Sequence, residues 1–270
     1  MLEPVLPPYA MTISSQSTTS SEPLISREQH QQFWRDGYFV FNTQVPHATC
    51  DRIVRDIAEH YPPDDKPDGY VTPTRLQDAW TFNEDVREVA TNPRILAVLQ
   101  ELYGRKPLPF QTLNFPTGTQ QFPHSDTIHF NSLPHTFMCG VWVAFEDIDM
   151  DNGPLIYYPG SNMLPEFTMA DAGAPEAHSR HYAIYEQFIQ KVITEFELKP
   201  AYGTIKKGEA LIWSSNLIHG GAPQRDRARS RHSQVTHFYF EGCRYYTPMD
   251  SLGTHVHWRQ PEWIAPPKGR

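Results

Sequence analysis

The spacing of apolar positions changes period partway along the chain. Before about residue 104 they recur at helical spacing, and beyond residue 108 they alternate or come in short apolar bursts. Residues 1 to about 25 are rich in Pro, Ser and Thr and read as a disordered arm. Ser26 followed by Gln29 has the form of a capping box, so a helix is expected through Phe33 and Trp34, stopping at Gly37. A short strand over residues 38–41 follows. Pro46 opens a second helix that carries Ile53, Val54 and Ile57 on one face and stops at Tyr61-Pro62-Pro63. Residues 64–74 are expected to be a loop. A third helix is predicted over residues 85–103, interrupted at Asn92-Pro93 and closed by Gly104.

The second half reads as strands. Phe110, Thr112 and Asn114 belong to one that turns at Pro116-Thr117-Gly118, and residues 137–145 form a strongly apolar one. An acidic turn spans residues 147–153, before a strand at 155–158 and a single helix near residues 181–196. Short strands are expected at 204–205 and 210–213, and a long one at 231–240. Helices first and alternating strands afterwards predict a mainly β fold with helical additions. The expected form is a double-stranded β-helix (jelly roll) core packed by N-terminal helices, with residues 26–270 as a single domain.

Composition narrows the function classes. The chain has 270 residues, 39% of them hydrophobic, enough for one substantial core. A formal net charge of −8 argues against a general binder of nucleic-acid backbone. No run of apolar residues is long enough for a membrane span, and the first residues lack the basic and apolar regions of a signal peptide. Cys50, Cys139 and Cys243 are odd in number and widely spaced, fitting neither a disulfide framework nor a zinc pattern. A cytoplasmic protein is the expectation, and a homodimer is left open.

The densest chemistry is Gln121-Phe122-Pro123-His124-Ser125-Asp126. In extended chain, residues i and i+2 project to one side, so the His124 imidazole and the Asp126 carboxylate would converge. They would form two thirds of a 2-His-1-carboxylate triad for non-haem Fe(II), a distant histidine completing it. His219, followed by Gly220 and Gly221, is the best candidate. Downstream, Arg225, Arg227, Arg229 and Arg231 share one parity. Arg231 is favoured as an anion anchor because it opens an apolar strand and precedes Ser233 by two. The other three read as a solvated charge run. His237 shares the Arg231 parity and could point inward as a core histidine. His135, His178, His181, His232, His255 and His257 read as surface or loop residues, and Trp213 and Tyr157 as core. The segment Arg75-Leu76-Gln77-Asp78-Ala79-Trp80 reads more simply as a solvated turn with a half-buried Trp than as a substrate loop.

Over most of residues 26–245 the sequence resembles the phytanoyl-CoA dioxygenase family. The matching features are Asp36-Gly37-Tyr38, His124-x-Asp126, Trp142, Asn152-Gly153-Pro154-Leu155, Pro159-Gly160-Ser161, His219-Gly220 and Arg231. The resemblance implies a metal site of His124, Asp126 and His219, with Arg231 and Ser233 holding the distal carboxylate of 2-oxoglutarate. Gln121, Asn114 and Trp142 would line the co-substrate site. Some relatives carry Ser two residues after the distal histidine, where this chain has Gly221. The implied reaction couples decarboxylation of 2-oxoglutarate by O₂ to oxidation of a substrate C–H. Hydroxylation is the default, with dealkylation or C–N cleavage where the carbon bears oxygen or nitrogen. Halogenation is disfavoured because Asp126 fills the position a halide would need. No basic cluster suits the phosphates of an acyl-CoA. Gln77, Trp80, His129 and Asn131 suggest a small polar metabolite, such as a secondary-metabolite or sugar-derived intermediate. Two rival readings remain: a catalytically silent jelly-roll binding module, and a cupin-like metalloenzyme that does not use 2-oxoglutarate.

Overall fold

The computed structural model describes residues 23–62, 74–251 and 253–268. Most of the expected N-terminal arm and nearly all of the expected 64–74 loop lie outside the described residues. Helix α1 (Arg27–Asp36) begins with the predicted capping box: the Ser26 hydroxyl accepts from the Gln29 amide, and the Gln29 side chain accepts from the Ser26 amide. Gly37 ends it in the left-handed region at φ 84°. Strand β1 (Tyr38–Asn42) and helix α2 (His47–Asp56) follow, then the short edge strand β2 (Leu76–Gln77). The interruption at Asn92-Pro93 divides two helices, α3 (Glu84–Ala90) and α4 (Pro93–Tyr103). The Asn92 side chain accepts from the amides of Arg94 and Ile95, and Pro93 occupies the first turn.

The remaining elements are β3 (Pro107–Phe115), β4 (Asn131–Leu133), β5 (Met138–Ala144), β6 (Leu155–Tyr157), α5 (Tyr182–Glu195), β7 (Ala201–Tyr202), β8 (Glu209–Ser214), β9 (His219–Gly221), β10 (Ser233–Phe240) and β11 (Arg244–Tyr246). They form a six-stranded antiparallel sheet in the order β1-β8-β5-β10-β3-β2, a three-stranded sheet β7-β6-β9 and a β11-β4 pair. Strands β2, β4, β9 and β11 are additional to those expected, and β10 begins at Ser233, so Arg231 lies just before the strand it was expected to open. The strand predicted at 204–205 is instead β7, ending at Tyr202. Gly203 donates its amide to the Leu155 carbonyl in register with the Ile156–Tyr202 pair, the chain leaves the ladder after it, and the buried Ile205 accepts from the Ile148 amide outside any strand.

The large sheet is buried on both faces, which is why β5 reads as a continuous apolar run and not as an alternation. Cys139, Val141, Val143, Ile212, Phe238 and Phe240 pack against Phe33, Ile53, Val86 and Leu99 of the helices. On the opposite face Leu113, Phe115, Trp142, Leu211, Trp213 and Val235 meet Tyr157 of the small sheet. Parity along each central strand therefore assigns a residue either to the helices or to the space between the sheets. Among the described residues no helix is long and apolar enough to cross a membrane, and all three cysteines are free.

Gly140 is constrained by this packing. It pairs with Trp213 across β5 and β8, and a Cβ there would lie 2.2 Å from Trp213 Cζ2. Gly140→Ala is expected to cost about 1–3 kcal/mol through overpacking, read as a lowered midpoint in urea denaturation.

Candidate metal centre and co-substrate pocket

His124 is brought to His219 by an isolated antiparallel bridge. Each residue's amide donates to the other's carbonyl, both at 2.9 Å, and directly paired residues on antiparallel strands present their side chains to the same face. Ser125 is extended, at φ −109° and ψ 137°, so Asp126 returns to the side of His124, as the i, i+2 argument requires. The Ser125 hydroxyl lies on the other side, donating to the Ser215 carbonyl. His124, Asp126 and His219 are all buried, and one ligand atom from each lies within 4.8 Å of the others. The Nε2 atoms of His124 and His219 stand 3.7 and 3.8 Å from Asp126 Oδ1.

Backbone carbonyls orient both imidazoles. His124 Nδ1–H donates to the Phe122 carbonyl at 3.0 Å and His219 Nδ1–H to that of Leu217 at 2.9 Å. That tautomer leaves each Nε2 with a lone pair facing the cluster. Burial, with His219 beside it, lowers the His124 pKa to about 3, so the ring is neutral and able to ligate. Burial by itself would push the Asp126 carboxyl up. His219, His237 and His124, with a hydrogen bond from Trp213, outweigh that and hold it at about 2. Trp213 Nε1 donates to Asp126 Oδ2 at 2.7 Å, turning Oδ1 toward the two histidines. Two imidazole nitrogens and one carboxylate oxygen are a donor set suited to Fe(II).

Close approach of the chain at β9 depends on glycine. A Cβ on Gly220 would lie 2.7 Å from the Gln121 carbonyl oxygen, and one on Gly221 would lie 2.2 Å from Thr119 Oγ1. The serine that some relatives carry at the Gly221 position has no room here.

The cluster opens into a cavity of about 730 Å³. Arg231, 2% exposed, stands on its wall, with its guanidinium carbon 5.3 Å from the Trp142 ring and 5.6 Å from Phe115. Its Nη1 donates to the Ser233 hydroxyl at 3.0 Å. No carboxylate pairs with it among the described residues, and its buried Nε has no acceptor. Burial lowers its pKa to about 10, opposed by Glu146, whose carboxylate accepts from the His232 amide and the Ser230 hydroxyl. The buried indole Nε1 of Trp142 is likewise unpartnered. A desolvated guanidinium with an orphaned donor matches what a bound dicarboxylate would satisfy. Arg229, by contrast, forms a surface pair with Asp149 at 2.8 Å.

The other sequence candidates divide. Gln121, Gln77, His129 and Trp142 line the cavity, and His129 Nε2 hydrogen-bonds to the Tyr182 hydroxyl at 3.1 Å. Asn114 belongs to the opposite face of the sheet, where it donates to Gln234 Oε1, because its parity on β3 is that of Thr112 and not of Leu113 and Phe115. Trp80 is buried in the helix-side core, its indole N–H donating to Asp78. Asn131 donates to Glu166 at 2.7 Å in a separate depression. Trp213, read from the sequence as core, contacts the metal-site carboxylate, and the glycine facing it on β5 is the signal that could have revealed this. His237 points inward as its parity implied, with Nε2 3.7 Å from Asp126 Oδ2 and Nδ1 2.9 Å from Gln111 Oε1.

The phytanoyl-CoA dioxygenase (PhyH) family model matches residues 3–233. The match thus begins within the segment expected to be a disordered arm. Peroxisomal phytanoyl-CoA dioxygenase of Homo sapiens is 24% identical over 290 residues, covering 92% of this chain and 79% of that protein. EctD from S. alaskensis, solved with 2-oxoglutarate and 5-hydroxyectoine, has a TM-score of 0.64 at 17% identity, covering 97% of this chain and 90% of that one. The epimerase SnoN from nogalamycin biosynthesis, in complex with Fe³⁺, alpha ketoglutarate and nogalamycin RO, has a TM-score of 0.61 at 20% identity, covering 90% and 95%. At such identities the likeness is one of fold. Family match, shared fold and buried ligand cluster together define the class, a non-haem iron, 2-oxoglutarate-dependent dioxygenase. Within that class the chain belongs to the phytanoyl-CoA dioxygenase family.

Trp213→Phe retains the ring packing and deletes the donor to Asp126. It is expected to weaken Fe(II) binding about 10- to 100-fold, as loss of a partner that orients a ligand does, while leaving the far-ultraviolet circular dichroism spectrum unchanged. Anaerobic calorimetry with Fe(II) measures the affinity.

Proposed function

We propose that this protein oxidises a C–H bond of a small polar metabolite using Fe(II), 2-oxoglutarate and O₂, by hydroxylation or by oxidative dealkylation or C–N cleavage. The two facing antiparallel sheets are read as a double-stranded β-helix braced by the N-terminal helices, and residues 26–270 as one catalytic domain. The observation that carries the reading is that a single cavity holds both the buried His124–Asp126–His219 cluster and a buried arginine with no carboxylate partner among the described residues.

His124, Asp126 and His219 are assigned as the metal ligands. When bound, Fe(II) supplies the redox chemistry that links oxidative decarboxylation of 2-oxoglutarate to substrate oxidation. The protein's share is positional. Carbonyls of Phe122 and Leu217 hold the imidazole tautomers, and the Trp213 indole holds the carboxylate rotamer. Arg231, with Ser233 beside it, is assigned to the distal carboxylate of 2-oxoglutarate, since a guanidinium fork pairs bidentately with carboxylate. Trp142 supports that arginine through its ring face and offers an indole N–H. Gln121, which lines the same cavity, is assigned to the co-substrate, and His129 and Gln77 are assigned to the substrate.

The test begins with anaerobic Fe(II) and 2-oxoglutarate, which should together give a weak visible absorption band that His124→Ala, Asp126→Ala and His219→Ala each abolish. Stoichiometric iron retained by the His219 variant would remove that residue from the site. Losing a bidentate charge-assisted pair costs about 2–4 kcal/mol, so Arg231→Ala should raise the 2-oxoglutarate Kd roughly 30- to 1000-fold. Arg229→Ala should alter it only slightly. Succinate formation against a metabolite extract identifies turnover. A protein that binds iron without ever producing succinate would instead be the silent binding module, and one that turns over a substrate without 2-oxoglutarate would be the cupin-like enzyme.

A further inference from the structure

Among the described residues four charged side chains line the cavity: Arg75, Asp126, Glu186 and Arg231. Asp126 and Arg231 are accounted for by the reading above, and Arg75 and Glu186 are not. Arg75 immediately precedes β2, the edge strand beside β3, and stands at the mouth of the cavity. It forms no hydrogen bond or ion pair with a described residue. The side chain is exposed, and the partial burial it has against the cavity lining lowers its pKa. Its own charge reaches inward, adding to the burial that lowers both His129 and His237. Glu186 lies on α5, 8% exposed, also without a partner, and its carboxyl is raised by burial alone. The two are therefore not paired with each other.

Arg75 is an exposed guanidinium on the cavity lining that no described acidic group engages, so its planar fork is available to a bound anion. We propose that the substrate carries a carboxylate and that Arg75 binds it, assisted by the amide of Gln77. This rests on the reading of the cavity as the active site. Among the described residues no lysine lines the cavity, and Arg75 is a single planar fork, which suits a monoanionic carboxylate better than a phosphate dianion. Phe122, Phe130 and Tyr182 supply apolar wall for the rest of the molecule. Because Arg75 is exposed and the His124, Asp126 and His219 cluster is buried, a carboxylate held by Arg75 leaves the carbon to be oxidised extending toward that cluster. Arg75 is thus a specificity and positioning residue.

The experiment is anaerobic calorimetry on protein loaded with Fe(II) and 2-oxoglutarate, so that Arg231 is already engaged. The probes are 3-phenylpropanoate, 3-phenylpropanamide and phenethyl phosphate. Wild type is expected to bind the acid roughly ten- to a hundredfold more tightly than the amide. Arg75→Gln should erase that preference and Arg75→Lys keep part of it, both with unchanged 2-oxoglutarate affinity. A wild type that binds the acid no better than the amide overturns the proposal, and so does a preference that survives in Arg75→Gln. Tighter binding of the phosphate than of the acid overturns the carboxylate assignment. Wild type that fails to take up 2-oxoglutarate with iron sinks the dioxygenase reading first, and this inference with it.

Discussion

The site depends on one reciprocal backbone pair, the bridge between His124 and His219. Two amides and two carbonyls from distant segments exchange hydrogen bonds, and the imidazoles are delivered to one side as a consequence. A slip of one residue would put Ser125 or Gly220 in register and turn a ligand away from the cluster. Gly220 and Gly221 guard that register, because any side chain there would push segment 119–123 off the β9 backbone. Asp126 then needs only one extended residue to return to the same side. The geometry of three ligands thus reduces to a single pairing and a single strand-like turn of the chain.

Around that pairing the site is held by groups that a list of ligands would omit. Trp213 lies across Gly140 and reaches Asp126 from the neighbouring strand. Its ring occupies the space that a Cβ at position 140 would fill. The helices α1 to α4 brace the other face of the same strands. The buried charges are arranged in the same economical way. Asp126 is surrounded by three imidazoles and an indole N–H, whereas Arg231 has aromatic faces and a hydroxyl but no anion among the described residues. One buried charge is satisfied by its neighbours and the other keeps an unpartnered donor.

The cavity is graded from its interior to its mouth. Near the cluster it is lined by imidazoles and by Trp142 and Trp213. Its exposed lining includes Gln77 of edge strand β2 and Arg75 just before it, and Tyr182 of α5, in the same lining, hydrogen-bonds to His129. These outer groups come from the elements least bound by the central ladder, where side chains can vary without disturbing the metal ligands. The division fits a fold that keeps one chemistry and changes its substrate.

The sequence by itself determined the elements and the chemistry of the centre. Caps at Ser26, Asn92 and Gly104, the change from helical to alternating period and the apolar run at residues 137–145 all act over a few residues, so their outcome is local. His124-x-Asp126 belongs to the same category, since two positions on an extended chain share a side whatever surrounds them. Parity alone left Arg225, Arg227, Arg229 and Arg231 equivalent, and Arg231 was singled out by the apolar strand that follows it and by Ser233 two residues on. What only the tertiary structure decided is which face of each strand meets the site. Strand β10 is polar on both sides, Ser233 and His237 toward the cavity and Gln234 and Thr236 toward the helices, so hydropathy cannot orient it. Asn114 was misplaced on that account. Trp80 and Asn131 share a neighbourhood in sequence with Gln77 and His129 yet are turned elsewhere by partners in Asp78 and Glu166. Trp213, Tyr182 and Arg75 become neighbours of the centre only when β8, α5 and β2 close around it, because contacts between segments so far apart are set by packing and leave no local trace in the chain.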